Sequence, residues 1–325
     1  MKTIFERCKK NHAASARVEN PCLPLPSPYM FTLMNDRELR ALVAHLKIIV
    51  KRLTSADMSG DFSSAFRGSG LEFAHIRNYE MGDEIRSIDW KSSAKMNRLM
   101  VKEFVQERER TVMVLLDISA SLRTGSQEQL KESYARNVAA CLAMMAQNTN
   151  DKVGIMLFAD KVLKYIAPRK GASYSAQAVH ELLSTPCQSS GTTNFEAALN
   201  HLAAMRLRNA IVFVVSDWIA PTEHNPTLLS FLGNKNEAVA VRIIDPRERS
   251  LPDIGIVPTF DPETGHIVLL NTSGRAGKEL NILLGKRLHD QKQLLRKHKF
   301  SVLDVEVGSS LVDALATFFH TRARS

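Results

Sequence analysis

The sequence predicts an α/β protein built on a doubly wound, mainly parallel sheet, with a small additional subdomain on its N-terminal side. Three observations carry this prediction. From Thr111 onward strand and helix signals alternate, the order that folds into parallel strands joined by crossover helices. The strand candidates Val112–Ile118, Ala210–Ser216 and Ala238–Ile244 are near-continuous apolar runs without period-two alternation, as expected where helices cover both faces of a sheet. With 325 residues, 44% of them hydrophobic, the chain can bury a large core, and this composition excludes fibrous and disordered classes.

The elements follow in order. Residues 1–34 are polar and carry Pro21, Pro24, Pro26 and Pro28, which predicts an extended lead-in. Residues 35–110 form an N-terminal segment. In it Asp36 is suited to open a helix, and Leu39, Leu42, Val43, Leu46 and Ile49 recur at helical spacing up to about Leu53, so one face of this helix must be buried. A Gly- and Ser-containing loop spans 57–70. Residues 111–325 hold the α/β region. A helix with Leu130, Tyr134, Val138, Ala139, Leu142 and Met145 on one side follows the first strand, and then come strands Val153–Phe158 and Val162–Ala167. Helices near 175–183 and 195–205 precede the strand 210–216, and a short helix near Leu228 precedes the strand 238–244. The last part predicts an extended pair across Val257–Leu270 turning at 261–265, a long helix over 278–297, a strand over 301–307 and a helix over 311–319.

The net charge of +9 raises the question of an anionic partner. The excess gathers at the two ends, at Lys9, Lys10, Arg17, Lys51 and Arg52 and again at Lys286, Arg287, Lys292, Arg296, Lys297 and Lys299. The second group reads as a solvated helix face. No aromatic interleaving, zinc finger or RNA-binding signature accompanies the charge, so nucleic acid is not the favoured partner. The longest apolar stretches fall far short of the roughly 20 residues that cross a bilayer, and the N-terminus has no apolar run of a secretory signal. A cytoplasmic protein without a membrane span is expected. Four cysteines (Cys8, Cys22, Cys141, Cys187) lie scattered, which predicts neither a disulfide framework nor a zinc site, and Cys141 falls on a core helix face. No phosphate-binding Gly-x-x-x-x-Gly-Lys-Ser/Thr loop occurs, so the chain is not expected to hydrolyse nucleotide.

At the carboxyl end of the first buried strand stand Asp117, Ser119 and Ser121, alternating with Ile118 and Ala120. Ligands of doubly wound folds bind at such strand ends, and an all-oxygen set of carboxylate and hydroxyls suits a hard cation such as Mg2+. Helix capping alone could also account for Asp and Ser here. Two further segments meet the same predicted edge: Ser190 to Asn194 before a helix, and Ser216-Asp217-Trp218 at the end of a later strand. No Gly-x-Ser-x-Gly elbow and no nearby histidine accompany the serines, which favours binding over catalysis.

This combination closely resembles the von Willebrand factor A domain and its metal-ion-dependent adhesion site. The resemblance implies a Rossmann-type topology and one bound ion, Mg2+ or else Mn2+ or Ca2+. It implies Ser119, Ser121 and Thr193 as direct hydroxyl ligands, with Asp117 and Asp217 acting mostly through waters and Thr192 a poorer match than Thr193. An ion so weakly neutralised would seek one more carboxylate, supplied by a protein partner.

A second block is similar to the hallmark segment of the bacterial DUF58 family, which runs directly into an A-type domain. The matching residues are Glu72, Phe73, Arg77, Tyr79, Gly82, Asp83, Arg86, Ile88, Asp89, Trp90, Ala94, Lys102, Glu103 and Phe104, and the likeness continues through Asp245–Glu248, Leu251, Pro252 and the 261–265 turn. Many members carry N-terminal membrane helices, which are missing here. The family resemblance implies a MoxR-type AAA+ ATPase as partner, in chaperone-like complex assembly. Arg77, Asp83, Arg86, Asp89 and Trp90 admit two readings: paired charges fastening the segment to the sheet with Trp90 filling a core gap, or a docking face. A metal-dependent hydrolase or nuclease using Asp83, Asp89, Asp117 and Asp217 is the rival function, and the hydroxyl-rich set argues against it. A nucleic-acid-binding protein is the other.

Overall fold

In the computed structural model of the protein, residues 36–53, 72–105, 110–125, 130–187, 193–219, 226–260 and 267–324 are described. The lead-in, the 57–70 loop, Ser190 to Thr192, the 261–265 turn, Cys8 and Cys22 lie outside them. The strands are β1 (Glu72–Asn78), β2 (Met100–Val105), β3 (Thr111–Asp117), β4 (Lys152–Phe158), β5 (Val162–Arg169), β6 (Ile211–Ser216), β7 (Glu237–Ile244), β8 (Ile256–Phe260), β9 (Ile267–Asn271) and β10 (Ser301–Glu306). The helices are α1 (Asp36–Leu53), α2 (Trp90–Met96), α3 (Lys131–Asn148), α4 (Ala172–Ser184), α5 (Phe195–Ala204), α6 (Pro226–Lys235), α7 (Pro246–Arg249), α8 (Gly274–Lys297) and α9 (Leu311–Ala323).

Six strands form the central sheet in the order β10-β7-β6-β3-β4-β5, and β5 alone runs antiparallel to its neighbour. With β3 taken as the first strand this is the doubly wound order that reverses beside β3, between β3 and β6. Why β3 reads as an unbroken apolar run is visible in its packing. Val112, Val114 and Leu116 enter one core, while Met113 and Leu115 enter a second core on the opposite face.

Helix α3 is buried over most of its surface, which Ala135, Ala139, Ala140, Ala143 and Ala146 permit by letting neighbours approach closely. A helix apolar all round needs cover on its outer side as well. That cover is α1, whose Leu39, Leu46, Val50 and Leu53 join the α3 core. Fully burying such side chains contributes about 1.5–3 kcal/mol each, so the N-terminal helix is tied to the sheet region by packing.

In the chain between α1 and β3, β1 and β2 form an antiparallel pair, with Ile88 bridging to Val101. The reading of Trp90 as a core filler is corrected here. Trp90 is 64% exposed, because it opens the short helix α2, on which only Ser93 is buried. The predicted extended pair near 257–270 is the antiparallel pair β8–β9. Cys141 is buried as a free thiol, Cys187 is free as well, and no helix among the described residues is long and apolar enough to cross a membrane.

Candidate metal site

Strands β3 and β6 are hydrogen-bonded parallel neighbours, with Leu116 opposite Val215, so their carboxyl ends deliver Asp117 and the Ser216-Asp217 pair side by side. Beyond β3 the chain enters a tight turn at Ala120–Arg123. The Ser119 backbone N–H donates to Asp117 Oδ1 at 2.9 Å, and the Ser216 hydroxyl donates to Asp117 Oδ2 at 2.7 Å. In front of this carboxylate, Ser119 Oγ lies 3.1 Å from Ser121 Oγ, and Thr193 Oγ1 donates to Ser119 Oγ at 2.8 Å. Thr193 reaches this position because the Asn194 N–H bonds the Ala159 carbonyl just past β4 at 2.7 Å, while the Asn194 side chain caps α5. Asp117, Ser119, Ser121 and Thr193 thus form one connected set drawn from two loops.

Asp117 is almost completely buried, and its carboxyl is pushed up to about 7. Desolvation is the main cause and the charge of Asp217 the next, against the bonds from Ser216 and Ser119 that pull the value down. Asp217 meets a different environment. Its Oδ1 accepts from the Ile219 N–H at 3.1 Å, and its Oδ2 accepts from the Lys131 ammonium at 2.9 Å. Lys131 also donates to Glu248 Oε1 at 2.7 Å. Burial works against the Lys131 charge, yet the two carboxylates outweigh it and raise the ammonium above its ordinary value.

The turn after Asp217 depends on Trp218, which adopts a left-handed backbone (φ 55°) unusual for a bulky residue. Its ring is buried and stacked on Phe195 with centroids 4.8 Å apart, and its Nε1 donates to the Val241 carbonyl at 3.3 Å. The α8 residues Gln291 and Arg287 donate to the carbonyls of Trp218 and Ile219. The tertiary packing therefore sustains a conformation that costs about 1–3 kcal/mol in isolation.

Three hydroxyls linked through Ser119 and backed by a buried carboxylate fit a hard cation by the chemistry of their donors. Among the described residues no group of three or more His, Cys, Asp or Glu side chains gathers into a metal site, here or elsewhere, so the metal reading rests on the hydroxyls. Lys131 and Glu248 were not identified from the sequence as parts of this site, and Ser216 and Trp218 were read only as neighbours of Asp217 at the strand end. Glu248 was visible only as part of a family match, and Lys131 as one more polar residue at a helix start.

The other candidate residues divide by role. Arg77 grips Asp83 with two bonds of 2.8 and 2.7 Å, and these hold the Asp83 carboxyl below its ordinary value. Asp89 caps α2 through the Lys91 N–H and the Ser92 hydroxyl. Arg86 and Trp90 are exposed, as are Met81, Ile85 and Met96 near them in sequence.

The strand order with its antiparallel edge, and the hydroxyl-bearing loops at the sheet's carboxyl end, define a von Willebrand factor A-like domain. The chain belongs to the family described as "Protein of unknown function DUF58", whose model matches residues 75–280. An uncharacterised protein of Mycobacterium tuberculosis (strain H37Rv) is 24% identical over 233 residues, 71% of this chain and 73% of that protein. BatB from Bacteroides thetaiotaomicron is similar in structure, with 15% identity, a TM-score of 0.45, and coverage of 66% of this chain and 100% of that one. The SpRpn10 VWA domain is similar with 14% identity and a TM-score of 0.36, over 64% of this chain and 94% of that one.

Proposed function

We propose that the protein is a cytoplasmic docking adaptor, not an enzyme, that binds one divalent cation at this site and engages a MoxR-type AAA+ ATPase in complex assembly. The A-like fold and the family support an interaction role. The observation that carries the metal reading is the contact set of Ser119, Ser121 and Thr193 hydroxyls in front of buried Asp117. In this reading the three hydroxyls hold the ion, Mg2+ in the first instance, and the Ser119 N–H and Ser216 hydroxyl fix the Asp117 carboxylate behind them. A bound ion would supply an open coordination position for a partner's Asp or Glu. The exposed Trp90, with exposed Arg86 four residues before it in the chain, offers a second contact region, since exposed aromatics and Arg are the side chains that anchor interfaces. Arg77, Asp83 and Asp89 keep that region in shape.

Calorimetry with Mg2+ and Mn2+ tests the site. We expect one ion per chain in the wild type, and none in Asp117→Ala or in Ser119→Ala/Ser121→Ala. Titration of a MoxR-type ATPase should then show binding in Mg2+ that is lost in chelator and weakened in Trp90→Ala. Binding that ignores both the chelator and the serine substitutions would refute ion-mediated docking and leave the Trp90 region as the contact.

A further inference from the structure

Lys131 occupies a place where a lysine is costly. It is the first residue of the 18-residue helix α3, where the helix dipole disfavours a cation, and it is only 1% exposed. A buried ammonium is tolerated when carboxylates meet it with good geometry. Here Asp217 does so at 2.9 Å and Glu248 at 2.7 Å, from residues 86 and 117 positions away in the chain. One of those carboxylates belongs to the candidate metal set, and the other lies on α7, where Glu248 also closes a capping box with Asp245.

We propose that Lys131 sets the cation affinity of the site: its ammonium occupies Asp217 Oδ2 and offsets that carboxylate's charge, while Glu248 shares the ammonium and limits how much of it Asp217 receives. This rests on the ion-binding reading above. Asp217 has both oxygens engaged, one by Lys131 and one by the Ile219 N–H, so an incoming ion meets a carboxylate already partnered. Asp117 instead accepts from two neutral donors, the Ser119 N–H and the Ser216 hydroxyl. The site is therefore weak for an ion alone, and the α7 segment gains a lever on it: any contact that draws Glu248 away transfers the full ammonium to Asp217 and loosens the ion.

The test is ion affinity by calorimetry with Mn2+ on the full chain, for wild type, Lys131→Met and Glu248→Gln, with circular dichroism checking the fold. Lys131→Met should bind Mn2+ at least about tenfold more tightly, because a unit positive charge beside the site is gone. Glu248→Gln should bind at least about threefold more weakly, by the same electrostatics. These opposite signs separate the proposal from a merely structural lysine, whose loss and whose partner's loss would both weaken the site. If Lys131→Met fails to fold, Lys131→Gln, which also removes the charge but keeps a polar end, takes its place with the same expected direction. Wild-type binding with Lys131→Met unchanged or weaker, or with Glu248→Gln unchanged or tighter, overturns this inference and leaves the ion reading standing. Binding by Lys131→Met alone supports the inference and removes the ion from the native function. No binding by any folded protein of the three overturns both.

Discussion

Replacing Asp117 by Asn probes the site most directly. Burial and the charge of Asp217 push this carboxyl from 3.8 to about 7. Because the folded value lies above the unfolded one, the folded protein keeps its proton longer. This group's stabilising contribution is complete below pH about 4 and is lost as pH climbs through about 7. A rise of about three units, at 1.36 kcal/mol each, makes the ionised carboxylate a burden of roughly 4 kcal/mol at pH 8 in the ion-free protein. Asn keeps the shape. Its amide oxygen can accept from the Ser119 N–H, and its amide nitrogen can donate to the Ser216 hydroxyl, which turns to accept it. In chelator at pH 8 the variant should be more stable than wild type by up to roughly 4 kcal/mol, a rise in Tm of about 8 °C at about 2 °C per kcal/mol. The gap should close toward pH 4. Thermal and urea unfolding between pH 4 and pH 8 measure it, and added Mg2+ should raise the Tm of wild type only. A variant less stable than wild type at pH 8, or a gap independent of pH, would refute the account of a desolvated carboxylate awaiting a cation.

Two further substitutions test the packing that places the site. Trp218→Ala removes the Phe195 stack and the bond to Val241 that sustain the left-handed turn, so a loss of about 3–5 kcal/mol in urea unfolding is expected, together with weaker ion binding. Stability loss with unchanged ion affinity would show that the turn does not position Asp217. Gly154→Ala on β4 would bring a Cβ within 2.4 Å of Met113 Sδ and about 3 Å of the Pro168 and Ile166 backbone. The methionine tail can move but the β5 backbone cannot, so urea unfolding should show a loss of about 1–3 kcal/mol.

The sequence by itself determined the alternation of strands and helices from Thr111 onward, because buried strands must be apolar on both faces and crossover helices must repeat at 3.6 residues. It also placed Asp117, Ser119, Ser121 and Asp217 at strand ends, which can be read from where apolar runs stop, whereas Thr193 was singled out only by the resemblance to the A-type domain. The β1–β2 pair was not read from the sequence, because its charged residues alternate too irregularly to announce a strand. Periodicity says that a face is buried, not what covers it. That α1 lies over α3 depended on tertiary packing, and so did the exposure of Trp90, an aromatic that composition alone assigns to a core. The same limit explains Lys131. A lysine at a helix start reads as solvated, and only the fold, by bringing Asp217 and Glu248 to it across 86 and 117 residues, turns it into a buried charge at the edge of the site.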